Sequence, residues 1–377
     1  MNINQSNQNK KKIYFFMPTI EGGGIEKNLL ILTDFFIKKN FTVYLFYSSI
    51  NESIKQKLNT KIIKKKSKKY IFFNCFNKRI WDSLNCSINL FFFINEKKQS
   101  IIFSLQSSIF SIIVSKLKNI KIVTRIANHP SSSLSFFNNF LFYKIKINIK
   151  TLIYKLSDGI ICNSIESKKF FIDKFYKKKL VTIYNPLLFN KNKTQYINSK
   201  RSNSLLTIAR LENQKNIIGL INAFKIVRKK FIKIKLIIIG SGSEKKAIVK
   251  KINEFKLNNS VKIISSFNPY RFYIKSKIFI LNSLWEGLPN VLIEAMSFKI
   301  PIISSNCLSG PSELLGNGKY GYLTPIQDDK KLANKIIYVL SNYKEAKKKS
   351  FLAYQTLSRF DNTRQCNKYY KFIRSFF

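Results

Sequence analysis

Short apolar runs alternate along this chain with longer amphipathic stretches. That is the rhythm of strands and helices in a parallel α/β sheet. IYFFMP (13–18) reads as a strand, followed by a glycine loop and a helix from about Glu26 to Lys39. TVYLFY (42–47), IIFSLQ (101–106), KIVTRIA (121–127) and GIICNS (159–164) read as later strands with helices between them. LVTIYNP (180–186) closes this half, because Asn-Pro stops regular structure. A polar stretch without periodicity follows at 188–204 and reads as a linker.

The rhythm then restarts with LLTIAR (205–210), a helix near 216–230 and KLIIIG (235–240). A helix from about 243, VKIIS (261–265), IFILN (278–282), a helix near 289–299, IPIISS (300–305) and YGYLTP (320–325) come next, and the remainder from about 327 reads as helical. The expected organisation is a first Rossmann-like domain (1–187), the linker, a second Rossmann-like domain (205–360) and a C-terminal helix (361–377). At 377 residues two domains are the natural expectation, and ligands of such pairs bind beyond the strand C-termini.

Composition supports a folded protein, with 45% hydrophobic and 14% aromatic residues. The charge is extreme, with 67 Lys+Arg against 19 Asp+Glu and a formal net charge of +48. One reading is a nucleic-acid or anionic-membrane partner. The other is a genome drifting toward A/T-rich codons, since Lys, Asn, Ile and Phe dominate. The positive charge is spread along the chain and is mostly Lys, whereas nucleic-acid readers concentrate it in an arm or on one helix. No specific nucleic-acid partner is therefore expected. The five cysteines (Cys75, Cys86, Cys162, Cys307, Cys366) show no CxxC spacing and the chain has one histidine, which disfavours a zinc site and a disulfide framework. The N-terminus shows no apolar signal region, and no run approaches the ~20 apolar residues of a membrane span. The expectation is a cytoplasmic protein, at most peripheral at the inner face of the membrane.

Four clusters stand at the ends of expected strands. EGGGIEK (21–27) lets the backbone approach a ligand before a helix N-terminus, although a flexible turn would look the same, and it is not a P-loop. In ARLENQKN (209–216), Arg210 and Lys215 could both reach one diphosphate. IGSGSEKK (239–246) begins like a dinucleotide fingerprint, but Lys245 stands at its third glycine position, so Gly240 and Gly242 read better as a tight turn lining the site. In LWEGLPNVLIEAMSFKIP (284–301), Glu286 and Glu294 flank a helix start with Pro289 as its first residue. A carboxylate at Glu294 can accept two ribose hydroxyls, while either glutamate alone could be an ordinary surface residue.

Together these clusters resemble the retaining glycosyltransferases of family 4, the group 1 glycosyl transferases with the GT-B fold. EGLPNVLIEAM corresponds closely to that family's EGxPxxxxEAM, and RLENQKN, SGPSELL (309–315) and YGYLTP also match. The resemblance covers residues 203 to 345, with weaker support from GGGIEK. Two departures are VKIISS at 261–266, where the family has a glycine, and Lys299-Ile300 before Pro301.

The resemblance implies two parallel-sheet domains facing a central cleft, with the C-terminal helix crossing back to the first. It implies that Arg210 and Lys215 bind the diphosphate of a UDP- or GDP-sugar donor, and that Glu294 holds the ribose. Gly240, Glu286, Gly287, Leu288, Pro289 and Asn290 would line the donor site. Gly23 and Gly24 would touch the phosphates from the other domain, and His129, in RIANHP, would lie beside the donor sugar. The implied catalytic set is His129, Glu286, Arg210 and Lys215, with no metal and no cofactor beyond the donor. The implied acceptor is a glycan or lipid-linked saccharide of envelope or capsule assembly. The basic, aromatic stretch 135–156 could lie at an anionic membrane surface beside it, or be a core-facing helix. The competing readings are a basic binding protein without transferase activity, a nucleotide-sugar epimerase on the same fold, and a dinucleotide oxidoreductase.

Overall fold

A parallel sheet covered on both faces gives its central strands no polar side, which is why strands such as KIYFF and IFIL are nearly continuous apolar runs. The computed structural model describes residues 10–21, 23–68, 78–95, 99–106, 108–129, 140–172, 179–187, 201–265 and 269–377. Gly22, Cys75, residues 135–139 and the expected linker over 188–200 lie outside the described residues. The chain divides into two units, residues 1–187 with 362–377, and residues 188–361. Each is built on its own parallel sheet.

In the first unit the order is β1 (Lys12–Phe16), β2 (Thr19–Ile20), α1 (Gly24–Lys38), β3 (Thr42–Tyr47), β4 (Ser49–Ile50), α2 (Glu52–Lys55) and β5 (Ile63–Lys66). Then come α3 (Lys78–Phe93), β6 (Ser100–Ser104), α4 (Ser108–Leu117), β7 (Lys121–Ile126), α5 (Phe140–Tyr154), β8 (Gly159–Cys162), α6 (Ile165–Ile172) and β9 (Lys179–Thr182). The main sheet runs β5-β3-β1-β6-β7-β8-β9, and β2 pairs separately with β4. On one face Leu29, Leu32 and Phe36 of α1 cover Phe15 and Phe103. On the other, Cys86 and Leu90 of α3 and Ile112 of α4 cover Phe16 and Ile102. Strand β5 was not expected, because Lys64, Lys65 and Lys66 make it look like a charge run. It is an edge strand, where lysines discourage pairing with another chain.

The second unit contains β10 (Ser204–Ile208), α7 (Ile217–Lys230), β11 (Lys235–Ile239), α8 (Lys245–Glu254), β12 (Val261–Ile264), α9 (Tyr270–Lys275) and β13 (Ile278–Leu281). It continues with α10 (Asn290–Ser297), β14 (Ile302–Ser305), α11 (Pro311–Leu314), β15 (Tyr322–Thr324), α12 (Asp329–Ser341) and α13 (Tyr343–Gln355). Its sheet runs β12-β11-β10-β13-β14-β15. The chain starts in the middle, builds to one edge, then crosses back beside its first strand. Leu220, Phe224 and Val227 of α7, with Leu332 and Ile336 of α12, pack over Leu205, Leu236 and Ile280.

The last helix, α14 (Asn362–Arg374), belongs to the first unit. Its Cys366, Tyr369 and Ile373 are fully buried in that unit's core. The buried Arg125 donates from Nε to the Tyr369 hydroxyl at 3.1 Å and from Nη2 to the Asn185 side-chain oxygen. Hydrophobic packing and one buried polar tie therefore anchor this helix to β7.

Candidate functional site

In an open α/β sheet the crevice for a ligand opens where the strand order reverses, outside the carboxyl ends. In the second unit that point lies between β10 and β13, which are neighbours although far apart in sequence. The segment leaving β10 carries Arg210 and Lys215, and the segment leaving β13 carries Glu286 and the start of α10. Two of the four clusters singled out in the sequence thus meet at one switch point.

The two segments are stitched together. Leu284 N donates to Gln214 O at 2.8 Å, Gln214 Nε2 donates to Trp285 O at 2.7 Å, and Asn282 Nδ2 donates to Asn216 O at 3.1 Å. Lys215 ends a short 3-10 turn, and Asn216 next to it is left-handed (φ 44°) with its side chain capping α7 through Gly219 N. This frame points Lys215 at Glu286, Nζ to Oε1 at 2.5 Å, with side chains only 14% and 8% exposed. Ser283 Oγ donates to the same oxygen at 2.6 Å, and the Ser283 carbonyl accepts from Ser305 Oγ at 2.5 Å. Glu286 is therefore neither a surface carboxylate nor a simple helix-dipole partner. It is the buried half of an ion pair, an arrangement that sequence spacing does not reveal. Arg210, by contrast, is exposed and forms no ion pair among the described residues.

The turn after Glu286 is shaped by a second loop. Gly310 has φ +86°, and a Cβ there would fall 2.0 Å from Gly287 O and 2.8 Å from Pro289 Cδ. Ser309 Oγ adds a hydrogen bond to Gly287 O at 3.3 Å. The SGPSELL segment thus packs directly onto GLP, and only glycine fits at the contact. Pro289 is not the first helical residue as expected. It is extended (φ −73°, ψ 105°) and serves as the N-cap, so α10 begins at Asn290. Leu288 and Asn290 are buried beside it.

Gly240 follows β11 with φ +151°, and a Cβ there would sit 1.8 Å from Ala209 O. Gly240 N donates to Ile264 O at 3.0 Å and Leu211 N donates to Ser241 O at 2.8 Å. The GSG turn is thus pressed against the residues around Arg210 and serves as the tight turn expected.

Glu294 lies midway along α10, and its Oε2 is 3.2 Å from the Tyr273 hydroxyl, which also lies 3.3 Å from Val291 O. Tyr273 is fully buried and stacks on Phe298 with ring centroids 5.3 Å apart. Burial, with the Glu294 charge adding to it, pushes the phenol well above its ordinary pKa, so it stays a donor. Sequence reasoning missed Tyr273; an aromatic inside an apolar run gives no signal of its polar partner. It also missed Cys307, whose buried thiol is pushed up to about 12 by desolvation, with the Glu286 charge reinforcing the shift.

Gly23, Gly24 and His129 lie in the first unit. Gly23 and Gly24 are exposed at the start of α1, whose first turn carries Glu26. His129 follows β7 and is 5% exposed, with its ring edge-on to Phe170 at 5.2 Å. Burial lowers its pKa to about 4; Glu166 opposes the shift and Lys150 adds to it. The imidazole is accordingly neutral at pH 7. The preceding segment is held by Asn163 Nδ2, which donates to Ala127 O at 2.7 Å.

Residues 189–355 match the family model described as glycosyl transferases group 1. An uncharacterized glycosyltransferase of Methanocaldococcus jannaschii is 34% identical over 231 residues, covering 55% of this chain and 56% of that protein. The amylovoran biosynthesis glycosyltransferase AmsD of Erwinia amylovora is 30% identical over 177 residues, 46% of this chain and 50% of that one. The chain thus spans about half the length of these curated relatives. The crystal structure of Anabaena HepE in complex with UDP and glucose matches with a TM-score of 0.76 at 18% identity, covering 97% of this chain and 100% of that one. At that identity the likeness shows the fold alone, which is GT-B. The second unit is thus similar in sequence to group 1 glycosyl transferases.

Proposed function

We propose that this protein is a retaining, metal-independent glycosyltransferase of family 4. Its donor would be a UDP-sugar and its acceptor a glycan or lipid-linked saccharide of polysaccharide assembly. The observation that carries the reading is the buried Lys215–Glu286 pair at the β10/β13 switch point, inside the segment that matches group 1 glycosyl transferases. UDP is preferred to GDP because the solved relative of the same fold is a UDP complex. The AmsD relative, named for amylovoran biosynthesis, supports a polysaccharide acceptor.

In this mechanism the diphosphate leaves with growing negative charge. Arg210, exposed and unpaired among the described residues, meets it as a guanidinium fork. Lys215 shares its ammonium between Glu286 and the phosphate, so the negative charge arrives at a site already holding a cation in place. Glu286 and the turn through Asn290 face the donor sugar, and Gly240 lines the floor. Glu294 accepts the ribose hydroxyls with Tyr273 fixing its carboxylate. The resemblance assigns Gly23 and Gly24 to the phosphates and the neutral His129 to the donor sugar. The departing phosphate takes the acceptor proton, which is why the site needs no separate base of high pKa.

The test is nucleotide release by the full chain from UDP-glucose, UDP-N-acetylglucosamine, UDP-N-acetylgalactosamine and GDP-mannose. One UDP-sugar should turn over, and Lys215→Ala should lower its kcat by about 10²–10³-fold. An α-linked product from an α-linked donor, seen by NMR, establishes retention. Four inert donors, or a Lys215→Ala protein of undiminished rate, contradict the transferase reading.

A further inference from the structure

Along α5 the exposed apolar side chains line up. Ile145, Ile149 and Leu152, with Leu156 in the turn that follows the helix, are 45% to 65% exposed. At ~100° per residue the three helical ones fall within an arc of about 60°. Buried Ile147, Thr151 and Tyr154 lie on the opposite side, facing the core. A helix that is apolar on both sides needs a cover other than water on its outer side. Lys144 and Lys146 are exposed and flank the stripe at roughly 90–110° on either hand, and Lys155 is exposed in the turn that follows.

The neighbouring helices expose apolar side chains as well. Helix α4 packs beside α5 and α3 beside α4. They add the exposed Ile113, Leu117 and Phe92. Lys118 Nζ lies 4.2 Å from the centre of the Phe91 ring, which sets the ends of α3 and α4 side by side. The carboxylate of Asp158 at this rim is already held by Lys116 at 3.6 Å and Lys121 at 3.3 Å. Glu166 of α6 is 3.7 Å from Lys169. The face therefore presents apolar side chains framed by net positive charge.

We propose that this face of the first unit docks on a bilayer surface carrying anionic lipid headgroups. The α5 stripe sits at the headgroup–acyl boundary and the flanking lysines at phosphate level. An anionic bilayer supplies both things the face lacks, an apolar phase and negative charge. A second copy of this chain would set lysine against lysine. A nucleic acid would offer charge but no apolar phase for the stripe. The docking stands or falls independently of the donor chemistry.

The experiment is flotation of the full chain, at about 0.15 M salt, with vesicles of phosphatidylcholine and of mixed phosphatidylglycerol and phosphatidylethanolamine. With a net charge of +48, some diffuse attraction to anionic vesicles is expected from any face. The discriminating comparison is thus between Ile149→Glu/Leu152→Glu and Ile232→Glu, which makes the same kind of change at a 72% exposed residue of the second unit. The stripe variant should lose about tenfold or more of its vesicle-bound fraction, and the Ile232 variant less than about twofold. Ile149→Ser/Leu152→Ser, which adds no charge, should also lose binding, and unchanged melting temperatures exclude unfolding as the cause. Absence of binding to anionic vesicles, or equal losses in stripe and control variants, overturns the proposal. So does a concentration-dependent dimer that only the stripe variants abolish.

Discussion

Lys215→Met tests the central geometry at a single atom. In the native protein Glu286 Oε1 accepts from Lys215 at 2.5 Å and from Ser283 at 2.6 Å, on a side chain 8% exposed. Removing the ammonium leaves a buried carboxylate with one neutral donor on that oxygen, a situation that typically costs about 3–5 kcal/mol. A stranded carboxylate can escape by taking up a proton. From the ordinary glutamate range this costs about 4 kcal/mol at pH 7 and about 1 kcal/mol at pH 5. The expected loss is therefore about 3–4 kcal/mol at pH 7, shrinking as pH falls. Adding Glu286→Gln should recover about 2 kcal/mol or more at pH 7, since the charge to be neutralised is gone. The assay is urea unfolding read from Trp285, which adjoins the pair, in a Trp81→Phe background. Two units need not unfold together, so a probe inside the second unit is required. A loss below about 1 kcal/mol at pH 7, or one independent of pH, refutes the view that the pair is buried and mutually dependent.

Three further expectations are smaller. Tyr273→Phe removes the hydroxyl 3.2 Å from Glu294. Its donor KM should rise about 3–10-fold with kcat nearly unchanged and stability lower by about 1 kcal/mol; an unchanged KM removes Tyr273 from the ribose site. Gly240→Ala forces a Cβ to within 1.8 Å of Ala209 O at φ +151°, so thermal melting should show a loss above about 2 kcal/mol, and a neutral result contradicts the packing. For His129, the folded pKa of about 4 lies below the ordinary imidazole value of 6.5, so the unfolded chain binds more protons between these values and stability falls as pH drops through that window. From pH 7 to 5.5 the wild type should lose about 1 kcal/mol relative to His129→Gln, allowing for partial solvent access; parallel melting curves show that the imidazole is not buried neutral.

Strand positions were legible because parallel strands covered on both faces carry few polar residues to blur them, as in TVYLFY at β3. The strand-end position of both clusters was legible as well, because each sits where an apolar run ends. What stayed hidden depends on pairing in space. Lys215 is one lysine among many, and nothing local marks it as the partner of a glutamate 71 positions away. Tyr273 reads as core, and it is core, with its hydroxyl turned to Glu294. Strand β5 hides behind Lys64–Lys66. The stretch 135–156 could be read as a core-facing helix or an interfacial one. The described part, α5, has both a buried and an exposed apolar side, which no single period conveys.

The most direct measurement is calorimetric titration of UDP, GDP and ADP into the wild type and Glu294→Ala, at about 0.3 M salt to screen diffuse lysine attraction. Selective binding of UDP is expected, weakened about tenfold or more in the variant, since charged hydrogen bonds to the ribose are lost. Equal binding of all three nucleotides, or a variant that binds UDP as well as the wild type, would contradict it.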